Sequence, residues 1–121
     1  MLERTFKTAW FTKAARKARI LDDDLCKAIA QVILGQADDL GGGVFKKRLD
    51  NNRHRSIILA RSGRFWVYEY LFAKQNRANI DDSELNGFRQ LAKAYAGLDN
   101  PQLDQLVQNG DFVEICHAKS P

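Results

Sequence analysis

Nine lysines and arginines crowd residues 41–80, with only Asp50 and Glu69 as acids among them. Strand alternation decides which of these charges share a face. In the run Val44-Phe45-Lys46-Lys47-Arg48-Leu49, Lys46 and Arg48 point together, while Lys47 points away with Phe45 and Leu49. In the following run Arg53 and Arg55 share a face and His54 opposes them. Lys74 and Arg77 leave the end of a third run. Lys46, Arg48, Arg55 and Lys74 are therefore expected to converge on one surface, with Lys47, Arg53, His54 and Arg77 as further RNA-binding groups. The chemistry such a cluster suits is RNA cleavage by the neighbouring 2′-hydroxyl. That reaction asks for a base, charge stabilisation of the phosphorane and an acid for the leaving 5′-oxygen. Arginine stays charged and clamps phosphate through two parallel hydrogen bonds, whereas crowding by like charge makes a lysine a better base. Two acids in the basic segment argue against a metal-dependent nuclease, so no metal and no cofactor are expected. No Ser/His/Asp hydrolase motif is present.

Other groups admit two readings each. His54, between Arg53 and Arg55, is either a base or a structural, exposed residue. His117 belongs to a polar tail that is expected to be loose. Trp66, Tyr68, Tyr70 and Phe72 alternate on one face of a strand, either to stack bases or, the plainer reading, to form a core stripe. Gly41-Gly42-Gly43 is a turn and not a phosphate loop. No strand is expected to lead into it, no helix follows, and there is no G-K-[ST].

The elements that must position these residues are legible in outline. A chain of 121 residues is one domain by size, long enough to bury a core. Cys26 and Cys116 fit neither a disulfide framework nor a metal-ligand spacing, and Cys26, among Leu25, Ile29 and Ile33, reads as a small core residue. That usage suits a reducing, cytoplasmic setting. Glu3, Arg4 and Lys7 interrupt the start, so no signal-peptide stretch is expected, and no apolar run approaches membrane length. Leu2 to Thr8 predicts a strand and Trp10 to Ile20 a basic amphipathic helix. Asp22-Asp23-Asp24 opens a second helix with the stripe Leu25, Ile29, Val32 and Ile33. Strands follow over Val44 to Leu49, His54 to Arg61 and Arg64 to Lys74, with Ser62-Gly63 as a hairpin turn, giving an antiparallel meander. Asp81 with Glu84 forms a capping-box pair, and Ile80 with Leu85 a hydrophobic staple, for a helix striped by Leu85, Phe88, Leu91, Ala92 and Tyr95 that Gly97 stops. Asn100-Pro101 caps a short helix with Leu103, Leu106 and Val107, and Phe112, Val113 and Ile115 suggest a closing strand. The fold class is α+β.

These pieces, in this order, resemble the RelE/HigB-like toxins of bacterial type II toxin–antitoxin systems, in particular the HigB-like branch with an extended C-terminal region. The resemblance rests on Gly41-Gly42-Gly43-Val44-Phe45-Lys46-Lys47-Arg48-Leu49 and on Leu71-Phe72-Ala73-Lys74-Gln75-Asn76-Arg77-Ala78-Asn79-Ile80. The opening Thr5-Phe6-Lys7-Thr8-Ala9-Trp10-Phe11 and the helix from Asp82 to Ala94 support it. It implies a RelE-like microbial ribonuclease fold: an antiparallel sheet with two N-terminal helices and C-terminal helices. Residues 1–80 would be the core and 81–121 a C-terminal helical extension of a single domain. It implies cleavage of mRNA on the ribosome and silencing by a cognate antitoxin, with no membrane partner. By position, Lys46 and Arg48 match the family's paired basic strand residues. Arg55 matches an arginine that contacts the scissile phosphate, and Lys74 and Arg77 match the basic pair after the last long strand. Two departures stand out: Gln75 occupies an arginine position of some relatives, and Asp81 the position of a catalytic tyrosine. A ParE-like gyrase inhibitor and a non-catalytic RNA- or protein-binding module are the alternatives on the same scaffold.

Overall fold

The computed structural model describes residues 3–61 and 64–117. Its elements are β1 (Arg4–Thr8), α1 (Ala9–Ala18), α2 (Asp22–Ile33), β2 (Asp38–Gly41), β3 (Val44–Leu49), β4 (His54–Arg61), β5 (Phe65–Ala73), α3 (Asp82–Ala96), α4 (Asn100–Gln108) and β6 (Phe112–Ile115). The strands form one sheet in the order β2-β3-β4-β5-β1-β6. Neighbours run antiparallel except β1 and β5, which are parallel. The parallel pair follows from α1 and α2, which carry the chain from β1, next to one edge of the sheet, to β2 at the opposite edge before the meander returns.

Local chemistry sets the helix ends. Thr8 caps α1 by accepting a hydrogen bond from the Phe11 amide at 3.0 Å, and Arg19 ends it in the left-handed conformation, φ 59°. Three aspartates occupy the first turn of α2, where the positive end of the helix dipole favours them. The Asp81–Glu84 capping box of α3 forms reciprocally: Glu84 N donates to Asp81 Oδ1 at 2.7 Å, and Asp81 N donates to Glu84 Oε1 at 2.9 Å. The cap of α4 is Asp99, one residue before the expected Asn100, because Asp99 Oδ1 accepts from the Gln102 amide.

Both faces of the sheet are covered. On one, α1 and α2 bury Phe11, Ala15, Leu25, Ile29 and Val32 against Ile58, Trp66 and Tyr68. The Tyr68 hydroxyl donates to the Leu25 carbonyl at 2.6 Å and ties sheet to helix. Ile33, expected in this stripe, is instead 48% exposed, as the last residue of α2. On the other face α3 sets Leu85, Phe88, Leu91 and Ala92 over Val44, Ile57, Leu59 and Phe72. Leu103 of α4 closes a third cluster with Phe6, Phe65, Val67 and Phe112. The segment after residue 80 thus contributes a strand to the sheet as well as two helices.

Three expectations are corrected. Cys26 and Cys116 are paired in a disulfide, with Cα atoms 5.4 Å apart across a separation of 90 residues. Distance in sequence is no obstacle, because β6 lies beside β1 and brings Cys116 to α2. The pairing also removes cysteine usage as an argument for a reducing compartment. Second, an unexpected strand, β2, leads into the glycine triplet; all three glycines have positive φ, and β3 rather than a helix follows, so the triplet is a turn. Third, the aromatic stripe of β5 is divided. Ile58 pairs with Tyr68 but Ile57 with Tyr70, leaving Glu69 as an extra, bulged residue. Trp66 and Tyr68 face α1 and α2, while Tyr70 and Phe72 face the α3 side. Ser62-Gly63, the expected turn, lies outside the described residues.

Candidate nucleic-acid interface

The α3 side of the sheet changes character along β3 and β4. Under α3 it is apolar; beyond it come Lys46, Arg48 and Arg55. Register explains the grouping: Arg48 lies directly opposite Arg55, and Lys46 opposite Ile57, so the three side chains share one face. Two arginines facing each other across a ladder repel, so this arrangement costs stability unless an anion sits between them.

Arg55 is the most fixed of the three, only 8% exposed. Its Nη1 donates to the Asn52 carbonyl at 2.9 Å and the His54 carbonyl at 3.2 Å. Those carbonyls belong to, or adjoin, a tight loop in which Asp50, Asn51 and Asn52 all take positive φ, a conformation Asp and Asn tolerate best among side-chain-bearing residues. Among the described residues Arg55 has no acidic partner within ion-pair distance. Among the described residues no buried polar side-chain atom lacks a partner, and Nε and Nη2 of the Arg55 fork make no hydrogen bond to a described residue. Arg48 is exposed and, among the described residues, also without an acidic partner. Lys46 is held more loosely, its Nζ 3.4 Å from Asn79 Oδ1 and 3.7 Å from Asp38 Oδ2.

The remaining basic residues part from this row. Lys47 points to the opposite face, where its Nζ donates to the Gln36 carbonyl at 2.9 Å. Burial, then the charge of Arg48, holds its ammonium below the ordinary lysine value. Lys74, expected to converge with Lys46, Arg48 and Arg55, lies past the end of β5. Its amide bonds the Arg53 carbonyl, and it lines a separate cavity of about 520 Å³ with Asn51, Asn52, Arg53, His54 and Gln75. The chain turns away after Ala73, which prevents alternation from carrying Lys74 onto the face of Phe72. His54 faces the other way from Arg55, its Nδ1 3.1 Å from Asp50 Oδ2, and Arg53 pairs with Asp50 Oδ1 at 3.3 Å. Arg77 does reach the α3 side, lying over the Phe72 ring at 5.6 Å, but Glu84 binds it bidentately at 3.0 and 2.5 Å. That pairing raises the Arg77 guanidinium further above its usual value and lowers the Glu84 carboxyl. His117 holds its Nε2 3.1 Å from the Glu114 carbonyl, far in sequence from the row.

One aromatic was missed by sequence reasoning. Trp10, at the start of α1, is 51% exposed and stacks on Tyr70, with centroids 5.1 Å apart and ring planes 25° apart. Its place in a basic amphipathic helix concealed it, and its stacking partner Tyr70 lies 60 residues on in sequence, beyond the reach of local pattern.

Comparison with known proteins agrees with this architecture. Neither curated proteins nor solved structures give a significant match. The family model described as the RelE toxin of the RelE/RelB toxin–antitoxin system matches residues 3–115, from the start of β1 to the end of β6, without assigning a branch within the family. A match over nearly the whole chain settles membership: the protein belongs to the RelE toxin family, the toxin half of a toxin–antitoxin pair.

Proposed function

We propose that this toxin is a ribosome-dependent endoribonuclease that cuts mRNA by metal-free attack of the 2′-hydroxyl on the adjacent phosphate. The observation that carries the reading is the presentation of Arg55. Two backbone carbonyls fix one nitrogen of its guanidinium, and Arg48 stands opposite; among the described residues no acid neutralises either. A preorganised pair of this kind stabilises the phosphorane without rearranging. Lys46, on the same face, helps activate the 2′-hydroxyl, and its two weak contacts are easily given up. Lys74, Arg53 and His54 border the flanking cavity and hold neighbouring phosphates. Asp81 serves as the cap of α3, so it supplies no counterpart to a catalytic tyrosine, and the leaving 5′-oxygen takes its proton from solvent.

The test is primer extension on mRNA from cells expressing the wild-type chain or Arg55→Ala. The wild type should give cuts in phase with codons. Arg55→Ala should lower the cleavage rate by ~10²–10³ while keeping its circular dichroism spectrum. A folded Arg55→Ala variant that still cuts at full rate sinks the assignment. DNA damage with intact mRNA would mark a gyrase inhibitor, and neither lesion a binding module.

A further inference from the structure

We propose that Trp10 and Tyr70 form a shelf on which one RNA base stacks, next to the phosphate held by Arg55; this rests on the nuclease reading above. β1 stops pairing with β5 at Tyr68, so the second half of β5 has a neighbour on one side only. Into that gap comes the first turn of α1, bringing Trp10. The resulting cleft, of about 500 Å³, is lined by Trp10, Tyr70, Phe72, Gln75, Asn76 and Arg77, among others.

Several observations point to a base as the occupant. Trp10 stacks on Tyr70 and is nevertheless half exposed, so aromatic surface beside the stack is open to a further ring. Tyr70 in turn touches Phe72 and Phe88, centroids 5.9 Å away in each case, which anchors the shelf to the core. Every base has a π-face, and stacking on such a surface is tolerant of sequence. Gln75 and Asn76 line the same cleft with side-chain amides able to donate to and accept from a base edge. Phosphate lies close by: Phe72 is the cross-strand partner of Arg55, which makes Tyr70 its diagonal neighbour at roughly 7–8 Å. Lys17 on α1 puts a positive charge on the rim, as a polyanion requires, while the charge of Arg77 is cancelled by Glu84.

The experiment uses a short single-stranded oligoribonucleotide, with a 2′-deoxy residue at the cleavage position to prevent turnover, and a series in which each base in turn is absent. Trp66, the other tryptophan, is 5% exposed and bonded to Glu3, so a change in emission on titration reports Trp10. The oligonucleotide should quench that emission. Trp10→Ala should weaken binding by a factor of ~5–150, and Trp10→Phe by much less. Removing one particular base should weaken wild-type binding by a similar factor and leave Trp10→Ala unaffected. Unchanged affinity of Trp10→Ala, absence of quenching, or a loss independent of which base is missing overturns the shelf. So does a defect confined to antitoxin binding. Should Trp10→Ala fail to fold, Trp10→Phe and the base-deletion series still decide. The two readings fail separately: if Arg55→Ala abolishes cleavage while Trp10→Ala binds RNA normally, only the shelf is wrong. If the wild-type chain leaves mRNA uncut, the nuclease reading itself falls.

Discussion

Arg55 and Arg77 carry the same charge on the same side of the sheet and meet opposite treatment. Carbonyl oxygens orient Arg55 and leave its charge uncancelled, whereas the Glu84 carboxylate neutralises Arg77 at both nitrogens. A phosphate is therefore drawn to Arg55 first. Replacing Glu84 by Gln keeps an acceptor for the Asp81 amide but removes the neutralising charge. Glu84→Gln should tighten RNA binding several-fold, most at low salt, as measured by titration with an uncleavable oligoribonucleotide. The same variant has a pH signature. Because Arg77 holds the Glu84 carboxyl below its usual value, the pair contributes stability above the unfolded-state value, and that contribution disappears as pH falls through the folded one. The acid side of a Tm-versus-pH profile should thus be shallower in Glu84→Gln than in wild type. A profile that does not change would show that the pair is fully screened. The charges themselves were readable in sequence; which of them were cancelled was not, because Glu84 of α3 meets Arg77 only through the path of the irregular loop between β5 and α3.

Single elements behaved much as their residues dictate. β3 and β4 have the predicted bounds, and α3 starts at its capping box. Asp81→Ala should cost about 1 kcal/mol through loss of the cap, seen as a lower urea midpoint with an unchanged slope. If that substitution were neutral, the Glu84 half of the box would be carrying the helix start alone. Alternation failed at one place, Glu69. A bulge flips every following side chain to the other face, and nothing about Glu69 in isolation announces it. The residue is accommodated by Tyr95 of α3, whose hydroxyl donates to Glu69 Oε1 at 2.7 Å, and burial pushes the Glu69 carboxyl up. That partner lies on an element 26 residues away, beyond the reach of local pattern.

For the molecule as a whole, the disulfide joins α2 to the residue following β6 and closes a loop spanning most of the chain. A cross-link of that span limits the unfolded ensemble severely, so the Cys26→Ser, Cys116→Ser double variant should lose roughly 2–4 kcal/mol of stability. The cysteines pack in the cluster on the α1/α2 side of the sheet, whereas Lys46, Arg48 and Arg55 are directed to the α3 side, so mRNA cleavage at a permissive temperature should be unaltered. An equal Tm for the double variant and the oxidised wild type would contradict this. The uncancelled positive face also bears on the antitoxin that membership of the family entails. An acidic or amphipathic antitoxin segment should lie over Lys46, Arg48 and Arg55, associate fast and bind more weakly at high salt. Hydrogen exchange in the complex should show protection over β3 and β4; protection confined to residues 81–117 would mean that inhibition works from elsewhere.

Sequence alone determined the α+β class, three adjoining strands, the cap of α3 and the shared face of Lys46, Arg48 and Arg55, though not the departure of Lys74, because each depends on residues within one or two turns or strands of one another. Periodicity, capping and turn chemistry are local. Tertiary structure decided the rest. The parallel β1–β5 pair sets β6 at an edge, brings Cys116 to Cys26 and leaves the second half of β5 open to Trp10. Each of these depends on the order in which distant strands meet, and strand order is settled by which faces must be buried together across the whole sheet, a balance that no short stretch of residues records.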